Sequence, residues 1–432
     1  MTNYVLDPNQ LNVTGTGEND TFTANSGSKG NFTMDGSGGI DTVDYSQMGQ
    51  EVTLAANGII NKGGGYGSDT VKNVESFIGA TGKSNTIDGT TSNGVGSFDI
   101  DLSKNNLTLN GLPVGPLSFN VSNFDKVIGT NNNDTIKGSA GNDTFIGSKG
   151  NDTCNGDGGN NTMDYSKLGT GVTLGARGAV SKGALGTDTT LGMNKYVGAS
   201  GQTNIIDGTT SNGAGSFKID LSKNNLTVEN LPVGPLSFEV VDFSQVVGTK
   251  NNDTIKGNNT GNKFTGGSGN DILTGGNGKD ILNGTNSTAR GVGEVDRLTG
   301  GGGRDTFALG DKNGSFYLGN GNNDYALIND FDFTKDRIQL GGNKDLLSVK
   351  FDRRDGTIDL FSKQSGGKDL VAKVKLANPF NFSSKGETIG MGNTQTAMKG
   401  NSGIGNDISL GSDGIGGDSA SIEAMFANSI ST

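Results

Sequence analysis

A chain of 432 residues with 76 glycines but only 6 prolines is not collagen, and its glycine share is more than twice the usual ~7% of globular proteins. With 31% hydrophobic residues and no tryptophan it cannot fill several large cores, whereas a solenoid needs only a narrow buried stripe in each rung. A net charge of −11 favours cations over nucleic acid or anionic membranes as partners, and the absence of histidine excludes histidine triads, the H-E-x-x-H zinc motif and histidine acid/base chemistry.

The chain opens on "MTNYVLDPNQ", which has neither the cationic start nor the apolar run of a secretory signal. No stretch approaches ~18 consecutive apolar residues, so membrane insertion is not expected. The single cysteine, Cys154, cannot form an internal disulfide.

Self-comparison shows a tandem copy. "DLSKNNLT" at Asp101 returns at Asp220, "LPVGPLSF" at Leu112 returns at Leu231, and "NNDTIKG" at Asn132 returns at Asn251, each displaced by 119 residues. The expected organisation is a first repeat unit over 1–130 and its duplicate over 131–249. A nonapeptide tract over 250–310, a β cap over 311–385 and a tail over 386–432 follow. Within each copy "SFDIDLS" and "LSFNVSNF" alternate apolar and polar residues, with "SKNN" as a turn, so short strands are predicted and helices are not.

A nine-residue beat runs through these units. "GTNNNDTIK" at Gly129 is followed by "GSAGNDTFI", "GSKGNDTCN" and "GDGGNNTMD"; "GTKNNDTIK" at Gly248 is followed by "GNNTGNKFT", "GGSGNDILT" and "GGNGKDILN". After the insert "GTNSTAR" come "GVGEVDRLT" and "GGGGRDTFA". Glycine and asparagine allow the positive φ angles of a tight turn, and the aspartate at position six ends that turn with a hard anionic oxygen. Position eight is apolar throughout, at Ile136, Phe145, Cys154, Met163, Ile255, Phe264, Leu273, Leu282, Leu298 and Phe307, which predicts an inward-facing stripe with Cys154 as a small buried thiol.

The beat resembles the G-G-x-G-x-D-x-U-x repeat of the RTX family, the haemolysin-type calcium-binding proteins. The resemblance implies an all-β, right-handed parallel β-roll or β-helix solenoid with two nonapeptides per coil and a C-terminal β cap. Asp134 then lies above Asp152, and Asp253 above Asp271, and stacked carboxylates are expected to repel unless Ca²⁺ lies between them. The implied calcium turns comprise Gly129, Asn131, Asp134, Gly138, Asp143, Gly147, Asp152 and Gly156 in the first run. They comprise Gly248, Asp253, Gly266, Ser268, Asp271, Gly275, Asn277 and Asp280 in the second, then Asp296, Gly300, Gly302 and Asp305. The alternative for the same aspartates is a set of Asx-turns in a metal-free β-helix.

The copies are not identical. Phe32 stands where the second copy has Asp152, and Asn161 stands where the first has Asp41, so Asp20 and Asp41 are expected to be poor sites. Asn262 leaves its turn without a carboxylate, and Asn85 and Asn204 mark metal-poor structural coils. Further on, "DYALINDFDFTKDRIQL" from Asp324 resembles the segment that closes RTX solenoids, and "SVKFDRRDGTIDLFSK" predicts a hairpin on Asp355-Gly356. In the tail, Ile422, Met425, Phe426 and Ile430 fall at helical spacing, which the resemblance reads as a type I secretion signal.

The family reading is therefore a secreted or cell-surface calcium-binding structural or adhesive protein, not an enzyme, that folds on meeting Ca²⁺ outside the cell. Its expected partners are calcium, the type I secretion machinery, and cell-surface polysaccharide or further copies of itself. The competing reading is a carbohydrate-active or polysaccharide-binding face between Val52 and Phe124; a pore-forming toxin lacks the long apolar segments it would need.

Overall fold

A computed structural model describes residues 2–92, 94–211, 213, 215–341, 347–352, 357–362, 368–377 and 430–431. The described chain is built of short β-strands and a few 3₁₀ turns. It divides into two compact units: residues 1–211 with 224–227 and 235–245, and residues 212–223 with 228–234 and 246–432. The duplication boundary between Thr130 and Asn131 lies inside the first unit.

In the first unit, strand Thr135–Lys137 pairs in parallel with Thr153–Asn155, so Ile136 faces Cys154 across one coil. Strand Thr144–Ile146 pairs likewise with Thr162–Asp164, stacking Phe145 on Met163. Each step is 18 residues, two nonapeptides. In these three-residue strands the middle side chain points inward, and every position-eight residue named above is buried. Such a coil holds little apolar area, so stability comes from repetition along the stack.

The intervening segments leave the parallel path. Val52–Ala55 pairs antiparallel with Ile59–Lys62, which pairs antiparallel with Gly67–Lys72. Ser97–Asp101, Asn106–Asn110 and Leu117–Ser122 form a second antiparallel excursion. Its first turn is the "SKNN" segment, where Asn105 takes φ 56° after the 3₁₀ turn Leu102–Lys104. Asparagine tolerates that left-handed conformation better than most residues.

In the second unit Thr254–Lys256 pairs with Ile272–Gly276, and Lys263–Gly267 with Ile281–Thr285, again at an 18-residue step. The next step is 25 residues, Ile272 to Arg297 and Ile281 to Thr306, because the insert loops out without disturbing the register.

The solenoid continues past Phe307. Tyr325–Phe331 pairs in parallel with Val295–Gly301, and Arg337–Gln339 with Thr306–Ala308, which adds a full coil. Leu347–Asp352, Thr357–Ser362 and Asp369–Leu376 then form an antiparallel meander whose last strand pairs in parallel with Tyr325–Phe331, the β cap. The expected Asp355-Gly356 turn lies outside the described residues, as do Ile422, Met425 and Phe426. Of the tail, Ile430–Ser431 pairs in parallel with Arg337–Gln339, as strand and not helix.

Cys154 sits inside the first unit, and burial pushes its thiol well above its ordinary pKa. A thiol reagent at neutral pH is therefore expected to label it at least ~100-fold more slowly in the folded protein than in denaturant. Equal labelling rates would place Cys154 outside the core.

Candidate metal centre

Position six is occupied by a buried side chain in nearly every turn, and the way these side chains stack differs from simple charge repulsion. Asp134 N–H donates to Asp152 Oδ1 at 3.0 Å, and Asp253 N–H to Asp271 Oδ1 at 2.7 Å. The same bond joins Asp271 to Asp296 (2.8 Å), Asn262 to Asp280 (2.6 Å), Asp280 to Asp305 (2.9 Å) and Asp143 to Asn161 (2.9 Å). The expectation that only a cation could hold these rows together is thus corrected: the main-chain N–H of one position-six residue binds Oδ1 of the next, between the stacked side chains.

The second oxygen, Oδ2, sorts the turns into two kinds. In the first kind the position-two N–H reaches back to it: Thr16 to Asp20 (2.6 Å), Thr130 to Asp134 (2.7 Å), Ser139 to Asp143 (2.6 Å) and Thr249 to Asp253 (2.6 Å). The hydroxyls of Thr130 and Ser139 add further bonds, and Ser148 Oγ bonds Asp152 Oδ2 at 3.1 Å. In the second kind position two has positive φ, at Ser37 (68°), Gly267 (119°), Gly276 (159°) and Gly301 (92°). There Oδ2 of Asp41, Asp271, Asp280 and Asp305 is buried with no hydrogen-bond partner.

Such an oxygen is costly unless something supplies positive charge or a proton. Burial pushes the Asp271 carboxyl up to about 9, helped by the neighbouring charges of Asp296, Asp253 and Glu294, and pushes Asp305 up to about 6. Asp280 is raised by the same cause. Asp134 and Asp253 also rise to about 6 through burial, although each has its oxygens bonded.

The first glycine of each turn forms the floor beneath this oxygen. A methyl group at Gly266 would collide with Asp271 Oδ2 and with the carbonyl oxygen of Gly284, one coil on. Gly275 is in the same situation with Asp280 Oδ2 and Gly300 O, and Gly300 lies against Asp305 Oδ2. Carboxylate and carbonyl oxygens converging on one gap match the donor set of Ca²⁺. Among the described residues no three acidic, histidine or cysteine side chains cluster to hold a metal, so main-chain carbonyls would supply most of the coordination.

The expected site residues divide accordingly. Asp271, Asp280 and Asp305, with Gly266, Gly275 and Gly300, carry the unpartnered oxygens and their floors. Gly129, Gly138 and Gly248 also floor their turns, beneath Asp134, Asp143 and Asp253, whose oxygens are already bonded. Gly147 packs on the Tyr165 ring, and Gly156 on Asn161 Nδ2 and Gly192 O. Asp152 faces a lysine, and Asp296 Oδ2 accepts Tyr317 OH at 2.6 Å. Asn131 and Asn277 have exposed side chains, while Ser268 and Gly302 are half-buried.

Three aspartates stand apart from these expectations. Asp41, expected to be poor, has the open type of turn because Ser37 adopts positive φ, which residue type alone does not reveal. Asp324 and Asp336 were missed as turn residues. Asp324 has a buried unpartnered Oδ1, and Asp336 accepts the N–H of Asp305 at 2.9 Å. Their signal was legible: "GNGNNDYAL" at Gly319 and "DRI" at Asp336 keep aspartate and apolar residue two apart.

Between Val52 and Phe124 lies a cavity of about 380 Å³ lined mainly by apolar side chains such as Leu54, Phe77, Phe98 and Leu109. The carboxylates of this region serve turns: Glu75 accepts Asp41 N–H, Asp88 accepts Thr90 N–H, and Asp101 bonds Ser103 and Lys104.

Residues 128–163 and 257–288 match the RTX calcium-binding nonapeptide repeat family, in 4 copies. Among solved structures the chain is similar to the extracellular lipase LipA from Serratia marcescens, at 16% identity over 56% of this chain and 37% of that one, with a TM-score of 0.18. The chain thus spans little more than a third of the lipase structure. No curated protein matches the chain, and no helix among the described residues is long and apolar enough to cross a membrane.

Proposed function

We propose, from the premise that this chain is an RTX calcium-binding repeat protein, that it is a secreted or cell-surface structural protein, adhesive rather than catalytic, whose second unit completes its fold on binding Ca²⁺ outside the cell. The observation that carries this reading is the unpartnered Oδ2 of Asp271, Asp280 and Asp305 over glycine floors. A bound ion would be held by these carboxylates and by turn carbonyls of the neighbouring coil. It would supply the positive charge that the buried oxygens lack.

Where calcium is scarce these buried oxygens must either stay charged without a partner or take up a proton, both of which cost stability, and the second unit stays open enough for export by type I secretion machinery. Extracellular calcium modules commonly have Kd of about 10⁻⁴ to 10⁻³ M. A site at 100 times its Kd adds about 2.7 kcal/mol, so several weak sites acting together close the fold. Cell-surface polysaccharide or further copies of the chain are the partners such a scaffold would serve.

Circular dichroism during a calcium titration, with magnesium as control, tests the reading. The β signal should rise with calcium and far less with magnesium, whose tight octahedral demands suit carbonyl turns poorly. A signal already complete in chelator, and unchanged by calcium, removes the metal from the account. Export should fall when residues 386–432 are deleted; unchanged export would assign the address elsewhere.

A further inference from the structure

Two lysines are buried in the first unit, at equivalent places in the two sequence copies. Lys62 Nζ donates to Ser28 O (3.3 Å) and Gly30 O (2.9 Å) and pairs with Asp69 Oδ1 (2.7 Å). Lys182 Nζ donates to Ser148 O (2.8 Å), pairs with Asp152 Oδ2 (3.1 Å) and bonds Asp188 Oδ1. Ser28 and Gly30 are positions two and four of the nonapeptide "GSKGNFTMD", and Ser148 is position two of "GSKGNDTCN". These ammonium groups therefore rest on turn carbonyls, in the gap between one coil and the next.

The acidic partners belong to the ladder as well. Asp69 Oδ1 accepts Phe32 N–H (3.0 Å) and Asp188 Oδ1 accepts Asp152 N–H (3.1 Å), so each fills the position-six place of the following coil. Their second oxygens accept Tyr45 OH (2.7 Å) and Tyr165 OH (2.8 Å) and are not left over. Position six of the lysine's own turn is electron-rich in both copies. It is Asp152 in one and in the other Phe32, whose ring centroid lies 4.5 Å from Lys62 Nζ. A buried ammonium is tolerated only when its charge and donors are met, and here both are.

Asparagine does related work where position six lacks a carboxylate. Asn85 Nδ2 donates to the carbonyls of Ala80 (2.9 Å), Lys83 (3.2 Å) and Asn123 (2.6 Å). Asn204 Nδ2 repeats this with Ala199 (2.9 Å), Gln202 (3.3 Å) and Asp242 (2.7 Å). Its Oδ1 keeps the inward main-chain bond, to Val172 N–H at 3.0 Å. The amide hydrogens thus satisfy carbonyls that would otherwise face an empty gap.

We propose that Lys62 and Lys182 occupy two intercoil cation sites with the chain's own ammonium groups, and that they and the amides of Asn85 and Asn204 close the first unit without calcium. Among the described residues of that unit, Asp41 Oδ2 is the one aspartate oxygen left buried and unpartnered. Calcium dependence then belongs mainly to the second unit, and the first forms a folded platform before any metal arrives. Removing a lysine should create a metal requirement where none existed, since carbonyls and carboxylates are left facing a vacated cation position.

The inference rests on reading these gaps as cation sites, and the test separates the two. Amide hydrogen exchange on the full chain is compared in chelator and in millimolar calcium, and Cys154 labelling is followed in the wild type and in Lys182→Ala. Wild-type peptides from 126–207 should keep their protection in chelator, while those from 263–308 lose it by tenfold or more. In Lys182→Ala, Cys154 should label at least tenfold faster in chelator and regain protection in calcium. A first unit that exchanges in chelator as fast as the second overturns the proposal, as does a Lys182→Ala protein that is protected without metal or labelled at saturating calcium. A second unit indifferent to calcium instead defeats the proposed function.

Discussion

Replacing Gly266 by alanine abolishes calcium binding at its turn and destabilises the second unit by about 2–4 kcal/mol even in excess calcium, the range of overpacked buried sites. The new methyl group would meet Asp271 Oδ2 and Gly284 O, neither of which lies at the end of a flexible chain. Relief would require the two coils to separate, which breaks the bond from Asp271 N–H to Asp296 Oδ1. Gly17→Ala is the control, because nothing lies within 4 Å of a methyl group there. That change should stay within about 0.5 kcal/mol. Calorimetric stoichiometry and denaturant midpoints in calcium read both effects, and unaltered stoichiometry in Gly266→Ala would place the ion away from this floor.

Asp271→Asn should act in opposite directions with and without metal. An asparagine keeps the ladder acceptor while offering N–H donors to nearby carbonyls, as Asn85 and Asn204 do, so calcium binding falls and stability in chelator rises. The titration of Asp271 gives the same result a second handle. Its folded carboxyl is raised to about 9 from 3.8, so the metal-free fold holds a proton that the unfolded chain releases. The resulting stabilisation is complete below about pH 3.8 and is lost as pH rises through about 9. At neutral pH, then, acid partly replaces calcium, and calcium binding expels protons. Calorimetry in buffers of different ionisation enthalpy should detect that release in the wild type and a smaller one in Asp271→Asn. Equal release in both would exonerate Asp271.

Much of this architecture was readable in advance because it is local and periodic. Ile136 over Cys154 and Ile255 over Leu273 follow from the nine-residue beat, two units to a coil. The turn types were not readable from residue identity, since Ser37 and Ser139 occupy the same position with different backbones, and only the first takes positive φ. A glycine at position two signals the open turn better than the aspartate does. Lys62 and Lys182 escaped notice for a different reason: their carbonyl partners lie 32 to 34 residues away, brought close only by the antiparallel excursions. Charge alone suggests that rows of carboxylates must repel; the intervening amide of the preceding coil offsets part of that repulsion, because it faces the side chain, where sequence cannot show it.

The ladder needs a single acceptor atom per coil, and aspartate and asparagine present it equally well. Exchanging one for the other leaves pitch and register intact and changes only what the gap asks of its surroundings. A scaffold of this design can be retuned one rung at a time, its appetite for metal set independently of its length, so that a stiff self-sufficient segment and a responsive one are written in the same repeating alphabet.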